Sequence, residues 1–313
     1  MEEQLQEKAV LVGLNITTNV KKIDDIDINE SMAELKELVK AAGAEVLASV
    51  IQNKPARDAA YFIGKGKVEE IRDYCHMLGA TMIVFNDELS GAHMRNIEDV
   101  TGLKVIDRTA LILDIFAQRA LSKEGKLQVE LAQLKYRLPR LYGMGGQMSR
   151  TGAGIGTRGP GEQKLEVDKR HILNRAADIR KELREVKQNR ETQRVQRLKS
   201  NIPIVALVGY TNAGKSTLIN TLTNAGVLEE DKLFATLDPT TRLLSLGNDE
   251  PLLMTDTVGF IDKLPHHLID AFRSTLEEAK HADLIVHVVD CSNPEHETQM
   301  QVVYQTLKEL GVE

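Results

Sequence analysis

Tryptophan is absent from these 313 residues, and all aromatics together make up 4%. A surface of stacking platforms for bases is therefore not expected. Cysteine occurs only twice, as Cys75 and Cys291, far apart and outside any metal-ligand spacing. That excludes a disulfide-stapled scaffold and leaves two reduced thiols as the plain expectation. No apolar run approaches the roughly 20 residues that a membrane helix needs. The acidic start Met1-Glu2-Glu3-Gln4 also lacks the basic-then-apolar order of an export signal. The expectation is a soluble, cytoplasmic, monomeric protein with no membrane span.

In bulk the chain is ordinary, with 42% hydrophobic and 27% charged residues, and it is long enough for two or three domains. Its net charge of −6 hides an asymmetry. Residues 117–200 hold 20 of the 40 Lys and Arg but only 9 of the 46 Asp and Glu. A basic middle between acidic ends favours a polyanionic partner there, because nucleic-acid phosphates would be attracted to that segment alone.

Three regions follow from the patterning. Up to residue 117, strand-like and helix-like segments alternate. Lys8–Leu14 suits a buried strand, and Ser31–Ala42 reads as a helix capped by Ser31 and stopped at Gly43. Strands are expected at Glu45–Gln52, Thr81–Phe85 and Lys104–Ile106. Helices are expected at Lys67–Leu78, Ala92–Val100 and Arg108–Gln118. Such alternation implies a mostly parallel sheet covered by helices. From 118 to 200, Leu127, Leu131, Leu134, Leu138 and Leu141 recur at helical spacing, with Pro139 expected to end the helix. Leu165, Ile172, Ala176, Ile179, Leu183 and Val186 mark one face of a second long helix. The simplest arrangement is a long antiparallel hairpin, although stripes that dock on neighbouring domains would read alike. Its connection, 142–161, contains eight glycines together with Arg150 and Arg158. A flexible linker explains the glycines, but a helical pair needs no loop this long. A glycine-rich, arginine-bearing tip suits insertion into RNA, where the backbone can approach phosphates closely.

The third region, 201–313, opens with the apolar strand Ile202–Val208. It continues as Gly209-Tyr210-Thr211-Asn212-Ala213-Gly214-Lys215-Ser216, a full G-x-x-x-x-G-K-S between strand and helix. There the backbone N–H groups would face phosphates, with the helix N-terminus adding positive potential. Lys215 would reach the β- and γ-phosphates and the Ser216 hydroxyl would ligate Mg²⁺, with Thr217 continuing the helix. About 40 residues later Asp256-Thr257-Val258-Gly259 ends an apolar strand. This fits a D-x-x-G in which Asp256 holds magnesium through water and the Gly259 amide senses the γ-phosphate. Between them lies the loop Phe234-Ala235-Thr236-Leu237-Asp238-Pro239-Thr240-Thr241. One of its threonines would complete the magnesium shell, and spacing alone does not choose among Thr236, Thr240 and Thr241.

The chain resembles the HflX family of ribosome-associated GTPases. The residues that carry the likeness are Gly209–Thr217, Phe234–Arg242, Asp256–Phe260, Arg150–Asp168 and Tyr61–Glu70. The likeness spans essentially the whole chain. It implies an α/β fold with a parallel-sheet N-terminal domain (1–117), a helical hairpin (118–200) and a P-loop GTPase domain (201–313). It also implies Thr236 as the magnesium-binding switch residue, GTP and GDP as nucleotides, and the large ribosomal subunit with its rRNA as partner. Remodelling or splitting of stalled ribosomes is the implied role, with the hairpin entering near the peptidyl-transferase region.

Two positions bear on mechanism. Many small GTPases carry a water-orienting glutamine directly after D-x-x-G, where this chain has Phe260. Hydrolysis should then be slow until a partner supplies or orders the missing group. Asn212 could help hold a potassium ion that neutralises charge, or simply hydrogen-bond within its own loop. One departure stands out: no N-K-x-D, the guanine-reading motif, occurs in the sequence. Truncation within the G domain is the expectation, with weak preference for GTP over ATP and an exposed strand edge at Leu284–Asp290. An RNA-binding module without useful turnover and a P-loop ATPase are the alternatives. Gly64-Lys65-Gly66-Lys67 reads as a tight turn or an anion contact. His266, His267, His281, His287 and His296 have no ligand spacing.

Overall fold

The chain, described here by a computed structural model, has defined structure at residues 6–18, 26–141, 160–198, 202–223, 233–234, 237, 240–246, 250–264 and 279–312. Two compact units divide it. One holds the first strand with 27–114 and 132–178, and the other holds 115–131 and the residues from 179 onward.

The first unit is built on β1 (Lys8–Ile16), α1 (Ile28–Ala41), β2 (Glu45–Lys54), α2 (Lys65–Leu78), β3 (Met82–Phe85), α3 (Gly91–Thr101) and β4 (Lys104–Asp107). All strand pairs are parallel, in the order β2-β1-β3-β4. Strand β1 is apolar on both faces because helices cover both. Val10, Val12 and Leu14 join Phe62, Ile71, Ile83 and Phe85 in one buried cluster, while Ala9 and Leu11 are also fully buried.

Two local expectations fail for clear reasons. Asp27, not Ser31, caps α1, its carboxylate accepting the Asn29 N–H at 2.9 Å. The helix therefore starts earlier, and Ser31 is buried inside it, accepting from Asn86 Nδ2 at 2.9 Å. Helix α2 likewise begins at Lys65, with the Gly64 N–H held by Gln52 Oε1 (2.9 Å). Lys65-Gly66-Lys67 is thus a first helical turn, and Lys67 is paired with Glu70 at 2.6 Å. Both cysteines are free thiols, and burial pushes Cys75 up to about 11.

Helix α4 (Arg108–Arg119) leads to two long helices, α5 (Lys123–Leu141) and α6 (Pro160–Leu198). Lys123 pairs with Glu182 at 3.5 Å, and Arg137 and Leu141 share a cavity with Asp168 and Ile172, so α5 and α6 run antiparallel. On α6, Ala176 and Ile179 are buried as the stripe requires. Pro139 does not end α5, which continues to Leu141. In the last turn a proline forfeits only one backbone bond, so the helix can run past it; separately, the Arg140 guanidinium donates to the Tyr136 carbonyl (2.9 Å). The glycine-rich stretch through 159, with Arg150 and Arg158, lies outside the described residues. Pro160 and Gly161, expected to belong to that loop, instead open α6, in keeping with proline at a first helical position.

The second unit carries a sheet of order β6-β7-β5-β8, made of β5 (Ile204–Gly209), β6 (Thr240–Leu246), β7 (Glu250–Asp256) and β8 (Leu284–Val288). Central β5 is parallel to β7 and β8, and β6 is antiparallel to β7. The described helices after β5 are α7 (Lys215–Thr223) and α8 (His296–Glu309). Val205, Leu207, Ile219 and Met254 form a buried cluster. Among the described strands β8 lies at the edge, with Leu284 56% exposed.

In the first unit a buried carboxylate ties α5 to the sheet. Asp107, fully buried, accepts from the Leu89 N–H (2.9 Å), the Ala110 N–H (2.8 Å), the Tyr136 hydroxyl (2.8 Å) and the Arg140 guanidinium (3.1 Å). Burial pushes this carboxyl up, while its four donors pull it down. Arg140 also stacks on Tyr136, 3.5 Å from the ring centroid. Tyr136→Phe leaves the carboxylate one donor short. Urea unfolding followed by far-UV circular dichroism should show a loss of about 1.5–3 kcal/mol, and a change below about 0.5 kcal/mol would contradict the role assigned to the hydroxyl.

Candidate nucleotide site

Strand β5 runs straight into the phosphate loop. Tyr210 forms a parallel bridge with Phe260, whose N–H donates to the Gly209 carbonyl (3.1 Å) and whose carbonyl accepts from the Thr211 N–H (2.7 Å). The loop then turns through Asn212 (φ 60°) and Gly214 (φ 90°). Asparagine and glycine are the residues that tolerate this left-handed region. A tight turn of this kind leading straight into a helix N-terminus is the arrangement that binds anions.

Lys215 opens α7 and is buried, its Nζ donating to the carbonyls of Tyr210 (2.8 Å) and Gly209 (3.2 Å). Burial pushes its ammonium down to about 8, and Asp256 pulls it partly back up. Ser216 Oγ donates to Asp256 Oδ2 at 2.8 Å. Asp256 is fully buried, and its Oδ1 has no hydrogen-bond partner among the described residues. A hydroxyl and a half-satisfied carboxylate beside a buried lysine suit a hard cation and the phosphates that accompany it. No group of three or more His, Cys, Asp or Glu able to hold a metal by itself occurs among the described residues.

The D-x-x-G segment is packed against the loop. Thr257 Oγ1 donates to the Leu207 carbonyl (2.7 Å), and Thr257, Val258 and Gly259 are all buried. A Cβ on Gly259 would lie 2.7 Å from Thr211 Cα, and one on Gly209 would lie 2.4 Å from the Val288 carbonyl oxygen. Both positions therefore require glycine. Phe260 is buried and its backbone is bonded on both sides, so its ring is committed to the core.

The structure thus brings together Gly209–Ser216 and Asp256–Gly259, with Thr217 exposed in the first turn of α7 and Ala213 half-buried in the loop. Phe234 and Leu237 are buried. Ala235, Thr236 and Asp238 lie outside the described residues, as do His266 and His267. Of the other threonines considered, Thr240 and Thr241 are in β6, where Thr241 Oγ1 meets Thr255 Oγ1 at 3.0 Å. One neighbour escaped the motif reading. His287 on β8, its ring 5.3 Å from Tyr304, is held below its usual range by burial and by the Lys215 charge. No sequence signal marks it, because its place beside the P-loop lysine comes from strand pairing.

Comparisons with known proteins agree with this geometry. Three family descriptions match in order along the chain. They are "GTP-binding GTPase N-terminal" at 29–117, "GTP-binding GTPase Middle Region" at 119–197 and "50S ribosome-binding GTPase" at 204–312. A GTPase HflX of Lacrimispora saccharolytica is 57% identical over 310 residues, covering 99% of this chain and 72% of that protein. The GTPase HflX of Escherichia coli is 44% identical over 304 residues, covering 97% and 70%. Among solved structures, a complex of SsGBP with GDP is 27% identical with a TM-score of 0.54, covering 97% of this chain and 79% of that one. A GTP-binding protein of Sulfolobus solfataricus with GDP is 26% identical, with a TM-score of 0.50 and coverage of 98% and 79%. The P-loop, the D-x-x-G strand and this identity over nearly the whole chain lead to one conclusion: the chain belongs to the HflX family of GTPases, enzymes of GTP hydrolysis.

Proposed function

We propose that this GTPase binds GTP and GDP with Mg²⁺, associates as a cytoplasmic monomer with the large (50S) ribosomal subunit, and couples nucleotide state to remodelling or splitting of ribosomes. The observation that carries the nucleotide half is the Ser216–Asp256 pair, with Asp256 Oδ1 buried and without a partner among the described residues. The basic, glycine-rich middle of the sequence and the family supply the ribosomal half. Among the described residues no helix is long and apolar enough to cross a membrane.

In this reading Ser216, Thr236 and Asp256 hold the magnesium ion. Bound magnesium neutralises charge on the β- and γ-phosphates. The P-loop amides of Gly209–Thr217 cradle the phosphates, and Lys215 swaps its two carbonyl acceptors for phosphate oxygens, recovering the cost of its burial. The switch segment Phe234–Asp238 and the Gly259 amide respond to the γ-phosphate. Water attacks the γ-phosphorus, the bond to the β-phosphate oxygen breaks, and GDP and phosphate leave. Phe260 cannot orient that water, since its ring is in the core and carries no polar atom. Turnover therefore waits for a group from outside, which on this reading the ribosome supplies or orders.

Three outcomes are expected. Ribosome pelleting should tighten with a non-hydrolysable GTP analogue, and Lys215→Ala should abolish that gain while weakening nucleotide affinity roughly 10- to 150-fold; nucleotide-indifferent pelleting would leave only an RNA-binding module. Ribosome-stimulated turnover should be faster in potassium than in sodium buffer if Asn212 helps hold the ion, and equal rates refute that part. In competition against a fluorescent GTP analogue, ATP should displace nearly as well as GTP from this 313-residue chain, which has no N-K-x-D carboxylate to reject adenine; strong GTP preference would mean that other groups read the base.

A further inference from the structure

Phe234 has a backbone φ of 58°, a left-handed conformation that bulky side chains rarely adopt. Such a conformation persists only where the surroundings enforce it. Two contacts do so here. The Phe234 N–H donates to Thr211 Oγ1 at 3.0 Å, a buried hydrogen bond onto the phosphate loop. Its ring meets Phe116 edge-on, with centroids 4.6 Å apart and planes at 78°. Both rings are buried, Phe116 at 1% and Phe234 at 2% exposure. Phe116 stands near the end of α4, far upstream of the phosphate loop in sequence.

Thr211 is the meeting point. Its N–H is held by the Phe260 carbonyl, its Cα abuts Gly259, and its hydroxyl is held by Phe234. Three connections on one loop residue mean that a shift of Phe234 is felt where phosphate binds. Phe234 is itself fixed from outside the loop by an aromatic ring on α4.

We propose that Phe116 is a positioning residue for the nucleotide site. By seating Phe234 it maintains the Phe234–Thr211 hydrogen bond and keeps the phosphate loop organised, so a residue preceding the long helices sets how fast nucleotide leaves. The proposal rests on the P-loop being a nucleotide site.

The test is the release rate of fluorescent GDP and GTP analogues from the full chain, by stopped flow. Phe116→Ala should release nucleotide roughly 2- to 12-fold faster, the range expected for losing an edge-on aromatic pair. Phe116→Leu, which keeps most of the volume, should fall between it and the parent. Phe116→Ala combined with Phe234→Ala should release no faster than the quicker single variant, because the two rings act as one unit. Leu35→Ala, a truncation in the core of the first unit, should lower the thermal midpoint without changing release. Parent-like release in both Phe116 variants, multiplying effects in the double variant, or equal acceleration by Leu35→Ala overturns the proposal. Should Phe116→Ala fail to fold, Phe116→Leu decides alone, an unchanged rate overturning it. A parent chain that binds no nucleotide defeats the reading of the site as well, which separates the two failures.

Discussion

The two backbone hydrogen bonds through which Phe260 grips Gly209 and Thr211 are the constraint on which the nucleotide site depends. They weld the end of the D-x-x-G segment to the start of the phosphate loop, as a short continuation of the β5–β7 pairing. Everything nearby follows from that weld. Gly259 is pressed on Thr211 Cα, and Asp256 is delivered to the Ser216 hydroxyl. On the other flank the Val288 carbonyl closes on Gly209. A side chain at either glycine would have to push backbone aside, so the motif's glycines are demanded by strand spacing as much as by phosphate.

Buried charges in the two units show how a structural lock differs from a site. Asp107 is surrounded by four donors and has nothing left to offer a ligand. It organises β4, α4 and α5. Lys215 donates to the carbonyls of Gly209 and Tyr210, while Asp256 keeps one buried oxygen without a partner among the described residues. Burial therefore penalises the lysine and leaves its neighbour unsatisfied. Phosphate and a divalent cation would relieve both costs together, which is the physical content of reading this place as a binding site.

Much of the secondary structure was legible because periodicity reports burial directly. The apolar run at Lys8–Leu14, the α/β alternation and the stripe through Ala176 and Ile179 each correspond to an observed element. The misreadings are local. Ser31 looked like a cap because a serine preceded an apolar period, yet Asp27 offered a better-placed carboxylate one turn earlier. Pro139 looked like a terminator, but a proline in the last turn forfeits only one bond. Thr240 and Thr241, which spacing left open beside Thr236, fall in β6, where Thr241 meets Thr255.

By itself the sequence pointed to Gly209–Ser216 as the phosphate loop, because such a cradle is made of consecutive backbone groups whose geometry a short motif encodes. It likewise singled out Ser216 and Asp256 as the hydroxyl and carboxylate that this motif pairs. Only the tertiary structure decided which partners those residues meet. The gap between Ser216 and Asp256, the commitment of Phe260 to the core, the placing of His287 beside Lys215 and the seating of Phe234 on Phe116 all arise from strand order and packing. A periodic pattern says that a side chain is buried. It does not say against what, since that depends on contacts between segments far apart in the chain.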